Sequence, residues 1–80
     1  MTYFVYVLKS RKDGSYFRGI TQNIGLRLKH HNAGKHSTTK HKTPLEVVYI
    51  EMHETKLEAY KRKKFFTSEI GTIVLQGLLD

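Results

Sequence analysis

The chain has 80 residues, so residues 1–80 are interpreted as one small domain. It contains no cysteine, which excludes disulfides and thiolate metal sites and favours a reducing compartment. No run approaches the roughly 18 apolar residues of a membrane span and no secretory signal is expected, so we predict a cytoplasmic protein. The formal net charge of +7 would attract a polyanion, and nucleic acid is the first candidate.

Two strands joined by a tight turn are predicted at the start of the chain. Residues 3–9 are aromatic and β-branched, and apolar side chains fall on both faces, which is typical of a strand covered on both sides. The pair Asp13-Gly14 is a strong hairpin signal, because both residues tolerate positive φ. Residues 15–20 would then pair antiparallel with the first strand.

Residues 21–34 are predicted to form a short helix whose two ends are marked in the sequence. Asn23 can cap the start, and Gly34 can close the end. His31 continues the apolar face of this helix, and Arg27 lies one turn before it, so the two side chains are neighbours. A cation and an imidazole held side by side on a rigid element suit a phosphate group.

The remainder of the chain is predicted as a loop, a strand and two helices. Residues 33–44 are small, polar and basic, as in a loop, and residues 46–52 have the composition of a third strand. Thr55 opens a capping box for a second helix that runs to about residue 67, and residues 70–79 form a third helix. The predicted order β-β-α-β-α-α is an α+β domain with a small antiparallel sheet.

Several short motifs, taken together and in order, resemble those of the GIY-YIG nuclease family. Phe4-Val5-Tyr6 stands where the family has Gly-Ile-Tyr, and Phe17-Arg18-Gly19 stands where it has Tyr-Ile-Gly. The likeness continues through Arg27-Leu28, His31-Asn32-x-Gly34, Thr39-Lys40, Pro44 and Glu58-Ala59-x-Lys61-Arg62. It covers nearly the whole chain and is closest to small, stand-alone, single-domain bacterial members, which are related to the N-terminal nuclease domain of a DNA-repair excinuclease.

The resemblance implies a three-stranded antiparallel sheet flanked by helices, and hydrolysis of DNA phosphodiesters with one divalent metal ion, Mg²⁺ or Mn²⁺. By resemblance, Tyr6 would be the general base, and Arg27 would stabilise the phosphate charge in the transition state. His31 would assist by hydrogen bonding to the phosphate or to the general base. Positive charge is needed there, because the reaction adds negative charge to the phosphoryl oxygens. A tyrosine also needs its pKa of about 10 lowered before it can act as a base.

Two positions depart from the family pattern. Lys63 stands where the family carries its metal-binding glutamate, and an ammonium group repels a divalent cation. Phe17 replaces the tyrosine of the second motif, and its neighbour Tyr16 should point to the opposite face of the strand. Neither Glu58, on another part of the helix, nor Glu69, near its end, is obviously placed to substitute. We therefore expect metal-dependent cleavage to be impaired and assign no metal ligands.

Lys63 also interrupts an apolar pattern. Ala59, Lys63, Phe66 and Ile70 would share one helical face, so Lys63 either extends to the edge of this face or replaces the metal charge at a phosphate. The residues predicted to contact the DNA backbone are Arg18, Lys35, Lys40, Lys42 and Lys63. Such contacts would depend on salt and not on base sequence, whereas a solvated loop is the alternative for the loop lysines.

Three functional hypotheses follow. The favoured one is a DNA-binding domain, acting on branched or damaged DNA as in DNA repair, whose hydrolysis is impaired. The first alternative is an active, structure-directed endonuclease that uses Mg²⁺ or Mn²⁺, and the second is an interaction protein that keeps only the fold and binds a protein partner. Because no residues are left for a separate reading domain, recognition is expected to depend on DNA structure.

Overall fold

The computed structural model describes residues 2–79, which form three strands and three helices in the predicted order. The strands are β1 (Tyr3–Ser10), β2 (Tyr16–Thr21) and β3 (Leu45–His53), and the helices are α1 (Ile24–Asn32), α2 (Lys56–Thr67) and α3 (Glu69–Leu79). The strands form one antiparallel sheet in the order β2-β1-β3. The α+β class and the element order are confirmed. Among residues 2–79, no helix is long and apolar enough to cross a membrane.

The central strand β1 is buried on both faces, as its sequence predicts. Val5 and Val7 point to one side, where they pack with residues of α2 and α3, namely Ala59, Phe66 and Leu75. Tyr6 and Leu8 point to the other side, where they pack with Leu45 and with Ile24 and Leu28 of α1. We call these two sides the α2 face and the α1 face of the sheet. Successive residues of β1 therefore belong to two different layers.

The β1–β2 turn forms at Asp13-Gly14, as predicted. Gly14 has φ of 75°, a conformation that a β-carbon would strain. The Asp13 carboxylate accepts hydrogen bonds from the Ser15 amide at 2.9 Å and from the Ser15 hydroxyl at 2.6 Å. Lys42 donates to Asp13 at 3.1 Å, and together these bonds lower the pKa of the Asp13 carboxyl. The loop that follows α1 is thereby fastened to the hairpin.

The helix caps match the predicted signals. The Asn23 side chain accepts a hydrogen bond from the Leu26 amide at 3.0 Å at the start of α1. Gly34, with φ of 74°, closes the other end, where the Gly34 amide donates to the His31 carbonyl. Thr55 caps α2 by accepting from the Glu58 amide at 3.2 Å.

Helices α2 and α3 are separated by one residue in an extended conformation. Ser68 has φ of −76° and ψ of 163°, so the backbone changes direction between the two helices. Gly71 then passes so close to α2 that a β-carbon at this position would lie 1.6 Å from the Phe65 carbonyl oxygen. The close approach packs α3 mainly against α2.

The break at Ser68 corrects one prediction. Ala59 and Phe66 are fully buried and Lys63 is half-buried, as expected for one helical face. Ile70 does not continue that face, because it belongs to α3 and is 70% exposed. A helical count carried from Ala59 to Ile70 assumed a continuous helix, whereas the chain turns after Thr67.

Candidate functional site

A buried chain of hydrogen bonds joins β1, α1 and the loop after α1. The Tyr6 hydroxyl oxygen lies 3.1 Å from Nε2 of His31, and Nδ1 of His31 lies 2.7 Å from the Thr39 hydroxyl oxygen. All three residues are at most 2% exposed. Each hydroxyl can donate or accept, so the neutral imidazole uses one ring nitrogen as donor and the other as acceptor, and both contacts are satisfied in either tautomer. Three segments that are distant in sequence are thus fixed around one imidazole.

Burial is the main influence on the pKa values of Tyr6 and His31. Burial, helped by the positive charges of His36, Arg27 and His30, lowers the pKa of His31 from 6.5 to about 4. Burial raises the pKa of Tyr6 above its ordinary value of 10, although Arg27 acts in the opposite direction. Arg27 therefore lowers the pKa of Tyr6, as expected of a cation near a phenol, but desolvation outweighs this effect. Both Tyr6 and His31 are neutral at pH 7.

The lowered pKa of His31 predicts that acid destabilises the fold. Between about pH 6.5 and pH 4 the unfolded chain binds a proton at this position and the folded chain does not, so stability falls as the pH is lowered through this window. The expected loss from His31 is about 2 kcal/mol between pH 7 and pH 5. Urea unfolding at several pH values measures it. The His31→Gln variant should lose stability less steeply, whereas His30→Gln, at an exposed position, should follow the natural chain.

Phe17 and His36 complete an aromatic cluster around His31. The Phe17 ring centroid lies 4.9 Å from that of His31 and 5.0 Å from that of His36, and the two imidazoles stack at 4.6 Å. Tyr16 packs into the α2 face, whereas Phe17 packs with Tyr6 on the α1 face, which confirms that Tyr16 cannot supply the missing hydroxyl. The ring of Phe17 therefore keeps the packing role of the second motif.

Gly19, the last residue of the second motif, lies directly opposite Tyr6 in the sheet. A β-carbon at this position would lie 2.3 Å from the Tyr6 hydroxyl oxygen and 2.4 Å from the ring carbon that carries it. The Tyr6 ring therefore occupies the space that any larger residue at position 19 would need.

Arg27 lies on α1 near the hydrogen-bonded residues Tyr6 and His31. Its side chain is half-buried and also borders a groove. The groove has a volume of about 350 Å³ and runs between the starts of α1 and α2. Its lining residues are Tyr3, Ile20, Thr21, Gln22, Asn23, Arg27 and Lys56. Two cations from different helices thus face one groove, which suits an anionic group.

Two of the predicted backbone contacts lie on the α2 face, away from Tyr6 and His31. Arg18 pairs with Val7 and is half-buried, and its Nε has no hydrogen-bond partner among the described residues. Lys63 lies on α2, where it borders a shallow cavity of about 200 Å³ together with Tyr60, Lys64 and Thr67. The structure therefore does not bring Arg18 and Lys63 together with the hydrogen-bonded chain.

The three predicted loop contacts have different environments. Lys35 and Lys40 are exposed in the segment after α1, where a polyanion could reach them. The ammonium group of Lys42 is already bound, at 3.1 Å from the Asp13 carboxylate and 2.9 Å from the Ser15 hydroxyl. Lys42 thus serves to hold the loop, while Lys35 and Lys40 are available for a ligand.

The residues of this chain do not fit a divalent metal ion at the Tyr6–His31 site. Glu51 points to the α2 face and accepts hydrogen bonds from Tyr49 at 2.6 Å, His53 at 2.8 Å and Arg62 at 2.8 Å. Burial would raise the pKa of Glu51, but these hydrogen bonds outweigh it and lower that pKa. Within the described part of the chain, no three His, Asp or Glu side chains are grouped as metal ligands.

Sequence reasoning missed two elements of this arrangement. Thr39, which holds the orientation of the His31 ring, lies in a polar loop where no periodicity signals burial. The network centred on Glu51 left a signal, because Tyr49, Glu51 and His53 alternate along β3 and so share one face. Arg62 joins it from α2, a contact that depends on helix packing.

The comparisons with known proteins agree with the fold. A family model described as the GIY-YIG catalytic domain matches residues 2–69. The UPF0213 proteins of Staphylococcus aureus strains Mu3 and N315 are each 41% identical over 63 residues, which is 78% of this chain and 76% of theirs. The solution NMR structure of a UPF0213 protein from Bacillus halodurans has a TM-score of 0.59 and 28% identity, covering 98% of this chain and 85% of that one. Because the family model spans β1 through α2, with the buried tyrosine and histidine inside the match, this chain belongs to the GIY-YIG family.

Proposed function

We propose that this chain is a DNA-binding domain whose phosphodiester hydrolysis is weak or absent. The observation that carries the proposal is a contrast between two parts of the domain. The Tyr6–His31–Thr39 chain is intact and buried, whereas the position of the family's metal-binding glutamate is occupied by Lys63. This chain therefore keeps the tyrosine and histidine that the resemblance assigns to the reaction and to the phosphate, and it lacks the glutamate that the resemblance assigns to the metal ion.

Binding is supported by two groups of positive charges, one where α1 and α2 begin and one in the loop after α1. Arg27 and Lys56 face one groove, and Lys35 and Lys40 are exposed in the loop after α1. These groups suit phosphate oxygens, and their positions are set by a rigid helix and a fastened loop. Contacts of this kind weaken as the salt concentration rises. Binding of the protein releases counterions from the DNA, and this release is less favourable when the solution already contains many ions. The proposed ligand is DNA of unusual structure, branched or damaged, met in the cytoplasm.

Weak hydrolysis is supported by the state of Tyr6. Its raised pKa keeps the hydroxyl protonated at neutral pH, and a protonated phenol is a poor general base. Arg27 alone does not reverse this effect. The family relies on a metal ion that would add positive charge, and this chain carries an ammonium group where the ligand should be.

A paired assay tests the proposal. Binding to linear and branched DNA is measured by fluorescence anisotropy at increasing salt, and cleavage of the same DNA is measured with Mg²⁺ and with Mn²⁺. The natural chain should bind without cutting. Lys63→Glu, alone or with Phe17→Tyr, restores the family's residues. Cutting by these variants, but not by Lys64→Glu, which makes the same charge change next to it, would show that a carboxylate at position 63 reaches Tyr6 from the α2 face.

Two outcomes would contradict the proposal. If the natural chain cuts and Tyr6→Phe abolishes cutting, the chain is an active endonuclease whose metal ligands lie outside the groups described above. If the natural chain fails to bind DNA even at low salt, the family fold serves another purpose, and binding to a protein partner becomes the leading function.

A further inference from the structure

Helix α3 carries apolar side chains on two sides. Gly71 and Leu75 point inward and are buried against the rest of the fold. The outward side presents Ile70, Ile73, Val74 and Leu78, which are 70%, 69%, 40% and 48% exposed. Their spacing of i, i+3, i+4 and i+8 makes one continuous stripe along the helix. We call these four residues the outer stripe.

The outer stripe is not needed for packing within the domain, because its four side chains are exposed. Four large aliphatic side chains exposed together give an apolar patch of a few hundred Å², at the upper end of what monomers show. Gly77 lies on the same side, and a β-carbon there would have no atom within 4 Å. A glycine inside a helix costs about 1 kcal/mol relative to alanine, and no contact among residues 2–79 requires a glycine at position 77.

The distribution of charge indicates what can cover this stripe. All fourteen Lys and Arg residues lie in residues 1–64, and between residues 65 and 79 the only charged side chain is Glu69. DNA, an anionic membrane surface or an acidic protein would each be drawn to the basic remainder of the domain. Two copies of a chain with net charge +7 repel one another, and the repulsion is smallest where they meet through a segment free of cations.

We propose that the outer stripe is the interface of a symmetric homodimer, in which α3 of one copy packs antiparallel against α3 of the other. A two-fold axis near Val74 places Ile70 against Leu78 of the second copy, and Leu78 against its Ile70. The same arrangement brings Ile73 close to the open space over Gly77. Two copies can thus bring their outer stripes together without placing cations next to one another.

The dimer we infer is weak, and it leaves the nucleic-acid site open. Two patches of this size bury less than the roughly 1,200 Å² of a stable interface, so association depends on protein concentration. Helix α3 contributes to the α2 face, whereas Tyr6 and His31 lie on the α1 face. The proposal is independent of the DNA-binding proposal, since either can fail alone.

Sedimentation equilibrium of the full chain over a range of protein concentrations tests the dimer. The natural chain should approach twice its mass of 9.3 kDa as concentration rises. Added salt should strengthen the association, because it screens the repulsion between copies, whereas DNA binding weakens with salt. Ile73→Lys should raise the dimer dissociation constant roughly tenfold or more, and Ile70→Lys should act in the same direction.

Leu26→Lys is the matched control. Leu26 lies on α1 and is 54% exposed, so the change adds the same charge at a similarly exposed aliphatic residue outside the stripe. Circular dichroism checks that each variant is folded. If Ile73→Lys does not fold, Ile70→Lys replaces it as the test of the interface. A natural chain that stays monomeric at every concentration and salt level overturns the proposal. So does a dimer that both stripe variants leave intact, or one that Leu26→Lys weakens equally.

Discussion

Replacing Gly71 by alanine is expected to lower the free energy of unfolding by about 3 kcal/mol. The new β-carbon would lie 1.6 Å from the Phe65 carbonyl oxygen and 2.5 Å from the carbonyl carbon. These atoms belong to the backbone of α2, and the next residue, Phe66, is fully buried, so α2 cannot move aside without disturbing the core. Thermal unfolding should shift down by roughly 12 °C or more for a domain of this size.

The control for this experiment is another glycine in a helix. A β-carbon at Gly25 in α1 would lie 3.7 Å from the Asn23 side-chain oxygen, which is an ordinary contact. Gly25→Ala should therefore stabilise the chain by about 0.5–1 kcal/mol, through helix propensity and reduced freedom of the unfolded chain. Equal effects of the two substitutions would show that the close approach of α3 to Phe65 does not exist.

Replacing Gly19 by alanine is expected to displace the Tyr6 ring and break its hydrogen bond to His31. The added methyl group overlaps the end of a ring that is only 2% exposed. We expect a loss of about 2–3 kcal/mol in stability and the loss of DNA affinity that depends on this site. In an NMR titration, the pKa of His31 should move from about 4 back towards 6.5 as water reaches the imidazole.

A double-mutant cycle separates this effect from general damage to β2. In the Tyr6→Ala background the ring is absent, so Gly19→Ala should cost only a few tenths of a kcal/mol. If the cost of Gly19→Ala is the same in both backgrounds, the alanine acts on the strand and not on Tyr6. The position of the ring opposite Gly19 would then be wrong.

Local signals in the sequence were sufficient for the elements of the fold. The Asp13-Gly14 turn, the Asn23 and Thr55 caps, and the two apolar faces of β1 each depend on a few neighbouring residues, and the structure confirms them. The proximity of Arg27 to His31 follows from one turn of helix. These features are set by backbone preferences and periodicity, which do not require knowledge of the tertiary fold.

The features that sequence could not predict are set by contacts between distant segments. The burial of Thr39 depends on how the loop after α1 returns to His31. The extra residue Val48 in β3, which shifts the pairing between Val7 and Leu8, has no local signature. The end of α2 near residue 67 was predicted, but the new direction that the chain takes at Ser68, which moves Ile70 off the face of Ala59 and Phe66, has no local signature.

Because β1 is the central strand and is buried on both faces, the number of residues in it determines which side chain faces which layer. Its odd-numbered and even-numbered residues pack in different layers, so a single insertion or deletion before Tyr6 in β1 would turn Tyr6 towards the α2 face and an adjacent core residue towards His31. One substitution could not compensate for this change of register, because every later residue of β1 would point to the opposite face of the sheet. The length of β1 is therefore fixed to the residue, whereas the loop between α1 and β3 can be lengthened or shortened as long as Thr39 still reaches His31.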